Sequence, residues 1–263
     1  MKNFKKIISL VLAVVLVAAC FAGCSNSKSD LEKVKEKGKL VVGITDFAPM
    51  DYKEQGSDEW IGFDADMAKA FGKSIGVEVE FVEIDWDNKV LELNNGTIDC
   101  VWNGMTLTDE VTSSMGCSKA YCNNAQVVIV NKDVADKYQT AEACKDLKFA
   151  VENGSAGEEQ AKANGYDYTP VKDQATALME IKSGNSDAAI IDSLMAAAMV
   201  GEGTGYDDLT YTVQLNSEEY GVGFRKDSDL VDEFNKFIDA SIKDGSMETC
   251  AEKYGVQAAI VKE

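Results

Sequence analysis

Carboxylates dominate the groups in this chain that could do chemistry. Asp and Glu number 45 against 26 Lys and Arg, histidine is absent, and the formal charge is −19. Without histidine there is no Ser-His-Asp or Cys-His nucleophilic system and no imidazole ligand for a metal, so most hydrolase and zinc-enzyme readings lose their central group. Carboxylates alone still offer general acid or base work. Arg225 is the only arginine, and an acidic chain with one guanidinium lacks the footprint that phosphate backbones require, which excludes nucleic acid as a partner. Beyond Cys24 stand Cys100, Cys117, Cys122, Cys144 and Cys250, an odd number with no CxxC spacing. Cys100 and Cys250 fall in apolar periodic stretches and read as small buried hydrophobes, and neither a metal nor a cofactor is expected.

The elements that must position such groups begin after a separate first segment. Lys2, Lys5 and Lys6 precede an apolar run from Ile7 to Ala19, then small residues with Cys20 and Cys24. The run is short for a membrane span and reads as a secretion signal. Phe21-Ala22-Gly23-Cys24 and Val17-Ala18-Ala19-Cys20 both resemble a bacterial lipobox. Cys24 is preferred as the lipidated residue and Cys20 is the alternative, because a polar stretch, Ser25-Asn26-Ser27-Lys28-Ser29, follows Cys24. Acyl chains there would hold the body to the outer face of the bacterial cell membrane. Cleavage without lipid is the simpler reading. Removing residues 1–23 discards three lysines and no acid, so the exported body is more acidic still.

The body alternates between two periods. Leu40-Val41-Val42-Gly43-Ile44-Thr45 is a short continuous apolar run, as a buried parallel strand should be. Phe63, Met67, Phe71 and Ile75 recur every four residues and Gly76 ends the helix they predict. Val77, Val79 and Phe81 alternate with acids; Val90, Leu91 and Leu93 predict a helix closed by Gly96, and Ile98 to Trp102 a strand. Further strands are predicted at 126–130, 147–151 and 188–191. Helices are expected around Ala175 to Ile181, from Leu194 to Val200, from Leu230 to Ile242 and from Met247 to Tyr254. This is an α/β pattern with largely parallel sheets, and 45% hydrophobic residues suffice for a full core. Two lobes are expected, with a ligand cleft at the strand ends.

Within this frame Gly62-Phe63-Asp64-Ala65-Asp66-Met67-Ala68, Asp85-Trp86-Asp87, the run from Gly96 to Thr108, Glu152-Asn153-Gly154-Ser155 and Tyr220-Gly221-Val222-Gly223-Phe224-Arg225-Lys226 occur in order. Together, over roughly Lys39 to Gly255, they resemble the polar amino acid binding proteins of ABC importers, the family-3 extracellular solute-binding proteins. The resemblance implies a two-lobed periplasmic-binding-protein type II fold with a discontinuous first lobe and two hinge crossings. The expected division is a lipoprotein signal peptide at 1–23, a polar tether at 24–36, the first part of lobe 1 at 37–124, lobe 2 at 125–219 and the returning part of lobe 1 at 220–263. It also implies a permease as partner, an amino acid or amine as ligand, capture without chemistry, and a monomer.

Matched by position, Asp46 and Phe47 lie in the loop after the first strand, and Trp86 falls where relatives stack an aromatic on the ligand, so Phe47 and Trp86 would sandwich it. Core packing is the alternative for both. Asn103, Gly104 and Thr106 match the loop that offers polar groups to an amino acid's main-chain atoms; Thr108 reads equally as a helix cap. Glu152 and Ser155 match lobe 2 contacts, and Asp192 the acid that takes the ligand α-ammonium, with an N-cap as its alternative. One departure stands out. Most relatives carry a carboxylate-binding arginine where this chain has Val111, and Arg225 matches the returning segment of lobe 1 instead. Asp46, Glu152 and Asp192 would then line a cleft with no guanidinium opposite, which favours a basic amino acid or a carboxylate-free amine. A neutral amino acid held by backbone N–H groups stays open, with Thr106, Ser155 and a helix N-terminus holding the carboxylate. An enzyme resembling cyclohexadienyl dehydratases is the reading from another class.

Overall fold

The computed structural model describes residues 28–262. The signal segment, Cys20 and Cys24 lie outside the described residues. Part of the expected tether is ordered helix: α1 (Asp30–Lys37) starts at a capping box in which Ser29 and Glu32 satisfy each other's backbone N–H groups, and Gly38 ends it at φ +70°. The tether reading fails from residue 30 on because Val34 is fully buried and the Leu31 N–H donates to Asp229, contacts a local composition argument does not contain.

Two sheets follow. The first has the order β2 (Glu78–Glu83), β1 (Lys39–Ile44), β3 (Cys100–Thr106), β11 (Glu218–Phe224), β4 (Gly116–Cys117), with β5 (Cys122–Asn124) also on β11. The second runs β10 (Leu209–Gln214), β6 (Gln126–Asn131), β9 (Ala188–Asp192), β7 (Lys148–Glu152), β8 (Asp167–Val171). The chain leaves the first sheet after Asn124 and returns at Glu218, where Glu218 and Glu219 pair with Asn124 and Asn123. The sheets are mixed rather than largely parallel. β1 is parallel to β2 and β3, and β7 to β8 and β9, but β11 runs antiparallel to β3 and β6 antiparallel to β9. The antiparallel partners β6 and β11 are the strands that begin where the chain changes sheets.

Helices cover the sheets at the six places where periodicity predicts them, and also at Asp109–Ser114 and Ala156–Asn164, where it does not. α2 (Phe63–Ile75) and α8 (Leu230–Asp244) bury Phe71 and Phe234 against Trp102, whose ring meets that of Phe234 edge-on at 4.8 Å. The remaining helices are α3 (Lys89–Asn95), α4 (Asp109–Ser114), α5 (Ala156–Asn164), α6 (Gln174–Lys182), α7 (Ser193–Met199) and α9 (Ser246–Tyr254). No helix among the described residues is long and apolar enough to cross a membrane.

Arg225 closes the first lobe. Its guanidinium donates to Asp30 (2.8 Å), to the carbonyls of Ile98 (2.9 Å) and Leu93 (3.2 Å), and lies 3.4 Å from Asp99. Truncation leaves Asp30 with Lys33 and Asp99 with Lys37 and the Val41 N–H but removes the donor to the Ile98 carbonyl, so Arg225→Ala should lower unfolding free energy by about 1–3 kcal/mol. Chemical denaturation measures this, and an unchanged midpoint would show the cluster to be dispensable.

Candidate functional site

The C-terminal ends of the parallel strands point into the space between the sheets, and a narrow cavity of about 30 Å³ lies there. From the first lobe come Trp86, Lys89, Thr106 and the start of α4; from the second come Gln126, Glu152, Ser155 and Asp192. The lobes touch around it. The Lys89 ammonium donates to the Gly154 carbonyl at 2.8 Å, the Tyr220 hydroxyl to Asp192 at 2.7 Å, and Lys172 pairs with Glu83.

Each wall group is held by a local cause. Trp86 opens a short 3-10 turn (Trp86–Asn88) and is 7% exposed, with one part of the ring on the cavity and the rest packed among Ile84, Leu93 and Val101. It serves as both core and wall. Asn103 and Gly104 belong to β3 rather than to a loop, because the strand runs on to Thr106. The Asn103 amide donates to Thr45 Oγ1 (2.8 Å) and its oxygen accepts the Thr45 N–H (3.0 Å), so this side chain ties β3 to the end of β1. The Gly104 N–H donates to Asp64 (2.7 Å), which also accepts from Tyr121. At φ +55°, a Cβ on Gly104 would meet Phe47 at 2.3 Å. Ser155 accepts the Glu158 N–H as the N-cap of α5 (3.1 Å) while its residue lines the cavity.

Asp46 and Phe47 stand elsewhere than expected. Phe47 pairs as an isolated bridge with Asp51, which turns its ring inward against Gly104 and edge-on to Tyr220 at 6.3 Å. It is 2% exposed and off the cavity wall, so it forms no sandwich with Trp86. Asp46 is exposed and likewise off the wall. Thr108 caps α4 through the Val111 N–H (3.3 Å) and also reaches the cavity; Val111 lines it without charge.

Asp192 ends β9 and precedes α7, yet its side chain makes no capping bond. It accepts from Gln126 Nε2 (2.8 Å), Tyr220 (2.7 Å), Asn124 and Gln174, and its own N–H donates to Gln174 Oε1 (2.8 Å). Gln126 and Asn124 also donate to Glu218, which accepts from Thr106 (2.9 Å). Gln126, Gln174, Glu218 and Lys89 were not legible as site residues. Single polar residues at an element's first position carry no local signature, and only the fold gathers them.

Two wall carboxylates, Glu152 and Asp192, and the buried Asp64 off the wall are held toward their neutral forms. Burial, then the neighbouring Asp192, pushes Glu152 up to about 8, and its Oε1 has no partner among the described residues. Burial, with Glu218 nearby, raises Asp192 to about 7, and burial raises Asp64 to about 7. Groups whose folded values lie above their unfolded ones stabilise the fold at low pH and lose that contribution as pH rises through the folded values. The melting temperature of the ligand-free chain should therefore fall from about pH 5 to about pH 8. A flat or rising profile over that range would mean that these carboxyls are already ionised at pH 5.

The architecture matches known proteins. A family model for bacterial extracellular solute-binding proteins, family 3, matches residues 40–257. The arginine-binding extracellular protein ArtP of Bacillus subtilis (strain 168) is 34% identical over 257 residues, 92% of this chain and 96% of that protein. The L-cystine-binding protein TcyJ of Escherichia coli (strain K12) is 31% identical over 249 residues, 93% and 92% of the two chains. The crystal structure of a mutant of ArgBP from T. maritima superposes with a TM-score of 0.79 at 31% identity, covering 86% of this chain and 98% of that one.

Proposed function

Because the chain belongs to the bacterial extracellular solute-binding proteins of family 3, we propose that it is the extracytoplasmic substrate-binding component of an amino acid ABC importer. The cavity between the lobes carries this reading, since both lobes contribute polar wall groups to one cleft. A ligand touching both lobes stabilises the closed arrangement over the open one, and the closed form is what a permease can distinguish. No bond of the ligand is made or broken. Trp86, Asn103, Gly104, Thr106, Glu152, Ser155 and Asp192 are the proposed ligand-binding groups, with Asp192 taking an ammonium.

A basic amino acid is the favoured cargo. Glu152 and Asp192 lie on the wall with no ion-pair partner among the described residues, and a cationic ligand compensates them. The relatives named for arginine support the same class. Calorimetric titration of the full chain with L-arginine, L-lysine, L-histidine, L-glutamine, L-cystine and L-glutamate tests this. Binding of a basic member is expected, and binding of glutamate alone would remove the cationic reading. A cation that turns Glu152 into its charged form must also displace its proton, so binding at pH 7 should release protons. Titration in two buffers of different ionisation enthalpy reads that release.

The protein is exported, as its family is extracellular. We assign the anchor to Cys24, with Cys20 as the alternative, and expect a monomer tethered by acyl chains such as palmitate. Metabolic labelling with an alkyne palmitate analogue should mark the wild type and lose the label in Cys24→Ser.

A further inference from the structure

Lys89 is a buried ammonium with acids nearby, Glu152, Glu110, Asp87 and Glu159, but with none in contact. It is 8% exposed, lies on the cavity wall and forms no ion pair among the described residues. Its two protein acceptors are neutral carbonyls, Gly154 O at 2.8 Å from the opposite lobe and Trp86 O at 3.3 Å from its own. The ammonium stands 5.0 Å from the Trp86 ring centroid. An ammonium has three N–H donors, so one is left for the cavity. Carboxylates from other elements, Glu110, Glu152, Glu159 and Asp192, share this wall. The cavity therefore presents a buried ammonium with no contact ion pair beside acids that burial holds toward neutrality and that a cation would ionise, and burying either charge uncompensated is costly.

We propose that Lys89 is a specificity-determining residue of the cleft, receiving the carboxylate of a zwitterionic ligand whose ammonium lies against Asp192 and Glu152. The inference rests on the amino acid capture reading above and sharpens it: the cargo is an intact amino acid, not a carboxylate-free amine. Such an amine would leave Lys89 facing a second cation. A dicarboxylate would add a further acid to those already held neutral by burial. Only a ligand bearing both charges compensates both sides of the wall. Because Lys89 sits on α3 and donates to Gly154 in the other lobe, the same ammonium joins carboxylate recognition to contact between the lobes. Val111, on the same wall, supplies no charge for this purpose.

The test uses amino acids paired with their decarboxylated amines, L-arginine with agmatine, L-lysine with cadaverine and L-histidine with histamine, titrated calorimetrically into the full chain. In the wild type the amino acid of a binding pair should exceed its amine by about 30-fold or more. Lys89→Met keeps the apolar stem and removes the charge; loss of the Gly154 bond should weaken both ligands alike, and the amino acid should lose about 10-fold or more beyond the amine. Lys89→Arg should retain most of the preference, and melting curves establish that both variants fold. Equal losses for acid and amine would mean that Lys89 only packs the wall, and would overturn the proposal. So would an amine that binds the wild type as tightly as its amino acid, a comparison needing no variant. If amino acids bind but Lys89→Met leaves them unaffected, the capture reading stands and this inference falls. If none of the twenty amino acids nor L-cystine binds the wild type, both fall together.

Discussion

Asp192→Asn should weaken binding of a basic amino acid such as L-arginine by roughly 30-fold or more, the cost of removing one member of a desolvated charge pair. The same substitution should cost the fold little. Burial already raises Asp192 to about 7, so an uncharged amide resembles the protonated acid that the ligand-free chain holds below that pH. Two measurements separate ligand recognition from a purely structural role. Calorimetry should show the loss of affinity, while the melting temperature should vary less with pH than in the wild type, because one raised carboxyl no longer titrates. The hydrogen bonds received from Gln126, Tyr220 and Asn124 already converge on Oδ1 and pass to the amide oxygen in the variant, while Gln174 loses its acceptor at Oδ2. A melting temperature that drops sharply at every pH, with affinity retained in the fraction that folds, would make Asp192 a hinge residue only.

Gly154→Ala should reduce affinity by roughly 10- to 100-fold by opposing closure of the lobes, through about 1–3 kcal/mol of overpacking. Gly154 has φ +70°, and a Cβ there would lie 2.7 Å from the Cα of Asp87 in the opposite lobe. Backbone cannot rotate away as a side chain can, so the lobes must part. Strain from the left-handed conformation, about 1–2 kcal/mol, weighs on open and closed forms alike, whereas the clash weighs on the closed form alone. A penalty on one state passes directly into apparent affinity. Gly165→Ala is the matched control. It has the same φ of +70° in the same lobe, with nothing within 4 Å of its Cβ. It should lower stability without touching affinity. Small-angle scattering adds a second readout, since the Gly154 variant should compact less than wild type when L-arginine is added. Equal affinities for the two glycine variants would show that close approach at Asp87 is not needed for closure.

Much of the fold was legible because burial imposes periodicity. The four-residue recurrence of Phe63, Met67, Phe71 and Ile75 corresponds to α2, whose core-facing side holds Phe63, Met67 and Phe71. The glycines that end helices at Gly76 and Gly96 are left-handed caps. The short strand β8 and the edge strand β10 leave little trace in the residue pattern. They are only partly buried, and alternation fades where neither face is covered. Beyond residue 102 the run Asn103-Gly104 lacks the alternation of a strand, yet pairing with β11 carries β3 on to Thr106. Phe47 illustrates the limit within the site. An aromatic two residues past a strand end can face ligand or core, and the bridge to Asp51 that turns it inward is a tertiary accident of where the chain returns.

Residue types and order by themselves determined the α/β class, the separate first segment, the acid excess, the absence of imidazole chemistry and the family resemblance with its missing arginine at Val111. These are properties of composition and local period, which need no knowledge of what touches what. The tertiary structure alone decided which charges meet. Arg225 is committed to Asp30 and Asp99 and so is unavailable to a ligand. Lys89, one lysine among many in the sequence, is set on the cavity wall against Gly154, 65 residues away. Asp192 is enclosed by donors from Asn124, Gln126, Gln174 and Tyr220, separated from it by 18 to 68 residues. The reason is desolvation. A charge in water is nearly indifferent to its neighbours, whereas a buried one depends on each group around it, and those groups are chosen by the fold.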